Sequence, residues 1–268
     1  MADTQQQPVC LSIAGLDPSG GAGIIADLKT FATFGCYGAA AVTSITFQNT
    51  VGVFGAENQS GETVRRQIEP IFEDLPVAVI KTGMLPTADV IETVAKLIAG
   101  LNPRPPIVVD PVVRSTSGFD LIDEVALKSL VDVLFPLATV VTPNIAEAER
   151  IAKMSIVSLE EIAAAGNEIL SLGARRVLIK GGHLQLAGKA VDYLFDADGY
   201  STFEANYIDS TATHGTGCTL ASAIAAGLAR GNDLHNSIAA AKRFVTEAIR
   251  TAPVLGAGHS PVNHLAKI

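Results

Sequence analysis

The chain has 268 residues, 48% hydrophobic and 17% charged, with a net charge of −8. That balance supports a buried core and excludes a disordered chain, while the acidic surplus excludes a protein that grips nucleic acid by its overall charge. No apolar run reaches the ~18 residues of a membrane span, and three cysteines without a C-x-x-C pair, Cys10, Cys36 and Cys218, point to a reducing, cytoplasmic setting.

The polar start, MADTQQQP, is expected to fray over residues 1–8. The segments 9–15, 39–47, 77–83, 106–113, 138–144 and 176–182 are short, β-branched and nearly continuous in apolar residues. They read as strands of a sheet covered on both faces. Helical patterns alternate with them, as in GIIADLKTFATFG (23–35) and TADVIETVAKLIAG (87–100), each closed by a glycine. The segment 190–205 reads as an antiparallel hairpin turning near Asp198 and Gly199. Two long helices, 217–230 and 234–250, close the chain. Alternating β and α predicts one α/β domain over 1–268, with right-handed crossovers and ligand sites at the carboxyl ends of the strands.

GLDPSGGAGIIADL (15–28) leads from a strand into a helix and can hold an anion on its amides. It lacks the lysine of G-x-x-x-x-G-K-[ST] and the spacing of G-x-G-x-x-G. A tight turn explains it as well, and Asp17 and Asp27 stand as candidate ligands for a polar small molecule. TPNIAEAE (142–149) offers two readings: Asn144 and Glu147 as a helix capping box, or as partners of hydrated Mg²⁺. Asp110 closes the strand VVD and is costly to bury unless paired or near a metal. Lys180 ends another strand, either facing phosphates or facing solvent. His183 and His214 read as structural, since neither has a carboxylate partner nearby in sequence. In THGTGC (213–218), Gly215 and Gly217 let the amides of 215–218 converge at the positive end of a helix, a nest for a transferring phosphoryl group. Cys218 at that end is expected to have a lowered pKa and to act as a base; alternatively it is a small buried hydrophobe.

These motifs, with QNTVGV (48–53), KTGML (81–85) and VLIKGGH (177–183), come in an order that resembles the hydroxymethylpyrimidine/phosphomethylpyrimidine kinases of thiamine biosynthesis. The resemblance runs from residue 9 to about 249. It implies a ribokinase-like fold, a central mostly parallel sheet flanked by helices on both faces, usually as a homodimer. It implies MgATP as donor and phosphorylation of 4-amino-5-hydroxymethyl-2-methylpyrimidine, then of its monophosphate. The anion hole and base map onto Gly215, Thr216, Gly217 and Cys218. Pyrimidine contacts map onto Gly15, Asp27, Gln48, Met84 and Val112, nucleotide contacts onto Asn144, Lys180, Thr211, Gly215 and Gly217, and the metal side onto Asp110 and Glu147. Gln48 matters most, because an amide can pair with the donor and acceptor edge of an aminopyrimidine. Partners are then a small pyrimidine and ATP, with no nucleic acid and no membrane. The sequence departs from the family at Leu16 and Phe47, expected to narrow the pocket, and at Thr116, where lysine is usual and Arg114 is a new cation nearby. Two rivals stand beside this reading: a pyridoxal kinase of the same type, and a non-catalytic pyrimidine sensor.

Overall fold

The computed structural model describes residues 7–113, 120–182 and 188–267. Strand β1 (Val9–Leu16) leads through helix α1 (Gly23–Thr33) to β2 (Tyr37–Gln48), which lies parallel to β1. β3 (Val53–Asn58) turns back antiparallel to β2 as the edge strand. Next come α2 (Gly61–Asp74), β4 (Val77–Thr82), α3 (Ala88–Ala99) and β5 (Ile107–Val109). α4 (Glu124–Ser129), β6 (Val140–Val141), α5 (Ile145–Ala152), α6 (Leu159–Ser171) and β7 (Val177–Lys180) follow. The hairpin of β8 (Lys189–Asp196) and β9 (Gly199–Asn206) completes the sheet, and α7 (Thr216–Ala229) and α8 (Leu234–Arg250) end the helical part.

The nine strands lie in the order β3-β2-β1-β4-β5-β6-β7-β8-β9. The pairings from β2 to β7 are parallel and those at the two edges are antiparallel. Strand alternation divides the core into two layers. Leu11, Ile13, Ile80 and Ile107 pack on one face against α2, α3 and α6, through residues such as Ile68, Ile91 and Ile162. Cys10, Val79, Val108 and Leu178 pack on the other against α1, α7 and α8, through Phe31, Ile224 and Phe244.

β5 and β6 are shorter than the runs 106–113 and 138–144 predict, because Pro111 and Pro143 follow them and have no N–H for the ladder. β3 was not anticipated; its side chains are mostly exposed and carry no apolar alternation. The hairpin and both closing helices stand where the pattern put them. α7 is buried from Thr219 to Gly227, and its small residues let it lie flat between the sheet and α8. A Cβ on Gly227 would come within 2.7 Å of Ser237 Oγ on α8. Among the described residues, no helix is long and apolar enough to cross a membrane.

Candidate active site

A cavity of about 860 Å³ opens at the carboxyl ends of the parallel strands. Gly15, Met84, Asp110, Asn144 and Lys180, which end or follow β1, β4, β5, β6 and β7, line it. The N-terminus of α7 forms its floor, with Gly215, Thr216, Gly217 and Cys218. The strand ends and the helix start therefore meet where an open α/β sheet places its ligands.

Two glycine-rich loops interlock at this point. Gly215 adopts φ +81°, and a Cβ there would stand 1.8 Å from the Gly21 carbonyl oxygen, so no other residue fits. Gly217 leaves room for Lys180, whose Nζ would lie 3.2 Å from an added Cβ. The Asp17 carboxylate accepts hydrogen bonds from the N–H groups of Ser19, Gly21 and Ala22 at 2.8, 3.2 and 2.8 Å, and it lies 2.8 Å from His214 Nε2. Burial alone would raise its pKa, but His214 and Ser19 hold it below the ordinary carboxylate value. Asp17 lines the cavity, and its carboxylate is held by the amides of its own loop, which it shapes. His214 does have a carboxylate partner, 197 residues away, and the pair ties the two loops together.

The expected nest of four amides is smaller. The Thr216 N–H already bonds to the Thr213 carbonyl at 3.3 Å. Gly215, the residue capping α7, offers no side chain to the first turn, so among the described residues the Gly215, Gly217 and Cys218 amides stay open at the helix start. The expected lowering of the Cys218 pKa is also corrected: the thiol is pushed up to about 11. Burial is the largest cause, and the Asp110 and Asp27 carboxylates add to it; the Lys81 ammonium and a hydrogen bond from the Gly23 backbone oppose it without prevailing.

Asp27, expected to touch the pyrimidine, is fully buried and does not line the cavity. Both its carboxylate oxygens lie 2.9 Å from Lys81 Nζ, and the hydroxyls of Ser12 and Ser222 donate to it, each at 2.6 Å. It therefore fastens α1 to β1, β4 and α7 and faces no ligand. Lys81 is fully buried as well. Burial would lower its pKa, but Asp27, Cys218 and Asp110 hold it above the ordinary lysine value. Lys81 has no role assigned from the KTGML motif; the signal for one is a lysine ending an apolar strand, KTG after VAVI.

Lys180 sits between two carboxylates. Its Nζ donates to Asp110 Oδ1 at 2.9 Å and lies 3.9 Å from Glu147 Oε2. Burial would lower its pKa, and these two carboxylates raise it above the usual value. Burial also pushes Glu147 up to about 7, with Asp110 adding to the shift while Lys180 and the Asn144 backbone hold it back. The capping box is real: the Asn144 N–H donates to Glu147 Oε2 at 2.8 Å, and the Glu147 N–H donates to Asn144 Oδ1 at 2.9 Å. Among the described residues no group of three or more His, Cys, Asp or Glu could hold a metal ion. Asp110 and Glu147 both line the cavity and are hard oxygen donors of the kind that fits Mg²⁺ with most of its waters kept.

At the other end of the cavity, Gly15 packs against Met84, whose Sδ would lie 3.1 Å from an added Cβ. Gln48, Leu16 and Val112 line the same region. Phe47 does not narrow the pocket; it is 51% exposed, on the face of β2 opposite Thr46 and Gln48. Thr211 is exposed and outside the cavity lining, while Ser210 and Thr213 belong to it. Sequence reasoning missed Asp192 and Lys242, which pair at 2.7 Å and line the cavity near Gly182; Lys242 looks like any polar position of an amphipathic helix. Arg114, Thr116 and His183 lie outside the described residues.

A profile of the family described as phosphomethylpyrimidine kinase matches residues 17–263. A thiamine biosynthesis bifunctional protein of Geobacter sulfurreducens is 49% identical over 95% of this chain, which spans 52% of that protein's length. A hydroxymethylpyrimidine/phosphomethylpyrimidine kinase of Staphylococcus aureus is 44% identical, covering 96% of this chain and 94% of its own. Among solved structures, an ADP complex of Bacillus subtilis pyridoxal kinase superposes with a TM-score of 0.89 at 37% identity, covering 97% of this chain and 98% of that one.

Two outcomes follow from the geometry. Asp27→Asn leaves the Lys81 ammonium buried without its hydrogen-bonded countercharge, and unfolding in urea is expected to show a loss of about 3–5 kcal/mol. Iodoacetamide labelling of Cys218 in the free protein is expected to quicken about tenfold per pH unit up to about pH 11; a plateau near 8.5 would show the thiol to be unshifted.

Proposed function

The chain belongs to the phosphomethylpyrimidine kinase family and has its ribokinase-like fold, and from that premise we propose that it transfers the γ-phosphoryl group of ATP to 4-amino-5-hydroxymethyl-2-methylpyrimidine and then to the resulting monophosphate. The observation that carries this reading is one continuous cavity with an amide-bearing strand end, Gln48, on one side and the start of α7 with Cys218 on the other. An alcohol held near Gln48 and Met84 can reach the phosphoryl site over Gly217.

The whole described chain is taken as one kinase domain. Gly15, Gln48, Met84 and Val112 hold the ring. Gly215, Thr216, Gly217 and Cys218 shape the end where charge develops, with the Gly215, Gly217 and Cys218 amides as its donors. Asn144 and Lys180 face the phosphates, Lys180 as a point charge. Asp110 and Glu147 would hold Mg²⁺ through its waters, and the ion when bound neutralises phosphate charge. Asp27 acts only through Lys81. Phosphoryl transfer passes through a loose transition state, so the hydroxyl proton leaves late and positioning outweighs base strength. The thiolate of Cys218, a minor form at neutral pH, is a stronger base than an alcohol and accepts that proton. Three free thiols fit a cytoplasmic protein.

The pyridoxal kinase likeness in fold supports a second reading; the 44% identity to a named pyrimidine kinase over nearly both full chains favours the first. A coupled ADP assay with each alcohol separates them, and ADP with neither would revive the sensor. Turnover on the pyrimidine is expected to exceed that on pyridoxal and to climb between pH 7 and 9. Cys218→Ala is expected to lose about 10²–10⁴-fold in turnover and to flatten that climb; near-normal turnover would remove the base role and leave the amides. A homodimer is part of the proposal, because Ile45, Phe47 and Phe54 stand 39%, 51% and 69% exposed along the β2–β3 edge. Light scattering is expected to give twice the chain mass, and Phe54→Asp to reduce it to one.

A further inference from the structure

Thr46 lies on β2 two residues before Gln48, and both side chains line the cavity. It is 4% exposed. Its hydroxyl oxygen stands 2.9 Å from the carbonyl oxygen of Leu16 and 2.7 Å from Gln48 Nε2. A carbonyl oxygen only accepts, so the single hydroxyl hydrogen is committed to Leu16. Toward Gln48 the hydroxyl can then only accept. The amide must present its nitrogen there, since the reverse orientation would set two oxygens with lone pairs against each other. One hydrogen of Nε2 is thus used inside the protein. Among the described residues the Gln48 side chain has no other hydrogen-bond partner. The second N–H and Oε1 remain for a ligand, a donor beside an acceptor.

We propose that Thr46 is a positioning residue that sets which way the Gln48 amide points, and so selects a ring nitrogen beside an exocyclic amine over a ring N–H beside a carbonyl. This rests on the pyrimidine-kinase reading. The chain of contacts runs from the backbone of β1, through a buried hydroxyl on β2, to the amide. Without the hydroxyl, Gln48 can turn over and pair with either kind of edge. The preference for a 4-amino over a 4-oxo ring is therefore written partly in a residue that needs no contact with the ring.

The test compares the native enzyme, Thr46→Val and Thr46→Ser at saturating MgATP, on the aminopyrimidine alcohol and on its 4-oxo analogue. Thr46→Val keeps the shape and removes both hydrogen bonds. It is expected to raise KM for the amino alcohol about tenfold, to leave kcat and the KM for MgATP within about twofold, and to lower the amino-over-oxo preference about tenfold. Thr46→Ser keeps the hydroxyl and is expected to restore KM and preference. An unchanged preference in Thr46→Val, an equal rise in the KM for MgATP, or failure of Thr46→Ser to rescue would overturn the assignment. If the native enzyme phosphorylates the amino alcohol while Thr46→Val matches it in every respect, Thr46 alone falls. If the native enzyme does not phosphorylate that alcohol, the substrate reading falls and takes the Thr46 role with it.

Discussion

The buried pair of Asp27 and Lys81 is the constraint on which the site rests. Four elements converge on one carboxylate: α1 supplies it, β4 the ammonium, and β1 and α7 the hydroxyls of Ser12 and Ser222. Charges out of water are stable only when their partners are held in place, so this cluster tolerates little displacement of any of the four elements. α7 brings the helix start that lines the cavity, with Gly217 and Cys218, and β1 leads into the loop around Asp17. Holding those two together fixes the distance between the halves of the site.

Above that pair the charges alternate inward from the cavity wall. Lys180 stands between Asp110 and Glu147, and the Cys218 thiol stands near both Lys81 and Asp110. Each cation lies against a buried carboxylate: Lys81 against Asp27, and Lys180 against Asp110 and Glu147. The thiol has the weakest support of the set, because burial and two carboxylates act in the same direction on it. A helix N-terminus alone therefore does not make a reactive thiolate here. The electrostatics suit a site that gains its final balance with polyanionic phosphates and their counterion, the chemistry of phosphoryl transfer.

Much of the site was legible because it is local. The Asn144 and Glu147 capping box follows from a spacing of three, and Gly215 and Gly217 stand where a sharp turn enters a helix. Phe47 lies off the pocket for a reason that is local too, since strand alternation puts it opposite Thr46 and Gln48. Two other features depend on contacts between distant parts of the chain. Asp27 lies in a motif that touches the cavity, yet its own carboxylate turns to Lys81, 54 residues on. His214 reads as lacking a carboxylate because Asp17 is 197 residues distant. The open amides were overcounted because the Thr213 carbonyl reaches Thr216.

By itself the sequence determined the alternation of strands and helices, the turns that demand glycine, the caps, and an ordered set of motifs that identifies the family. These depend on side-chain period and backbone freedom over a few neighbouring residues. Only the tertiary structure decided that the Asp27 carboxylate faces Lys81 and not the cavity, why the thiol keeps its proton, and which end of the Gln48 amide is presented. Those outcomes depend on desolvation, Coulomb interaction and hydrogen-bond polarity between groups that folding brings together from distant parts of the chain.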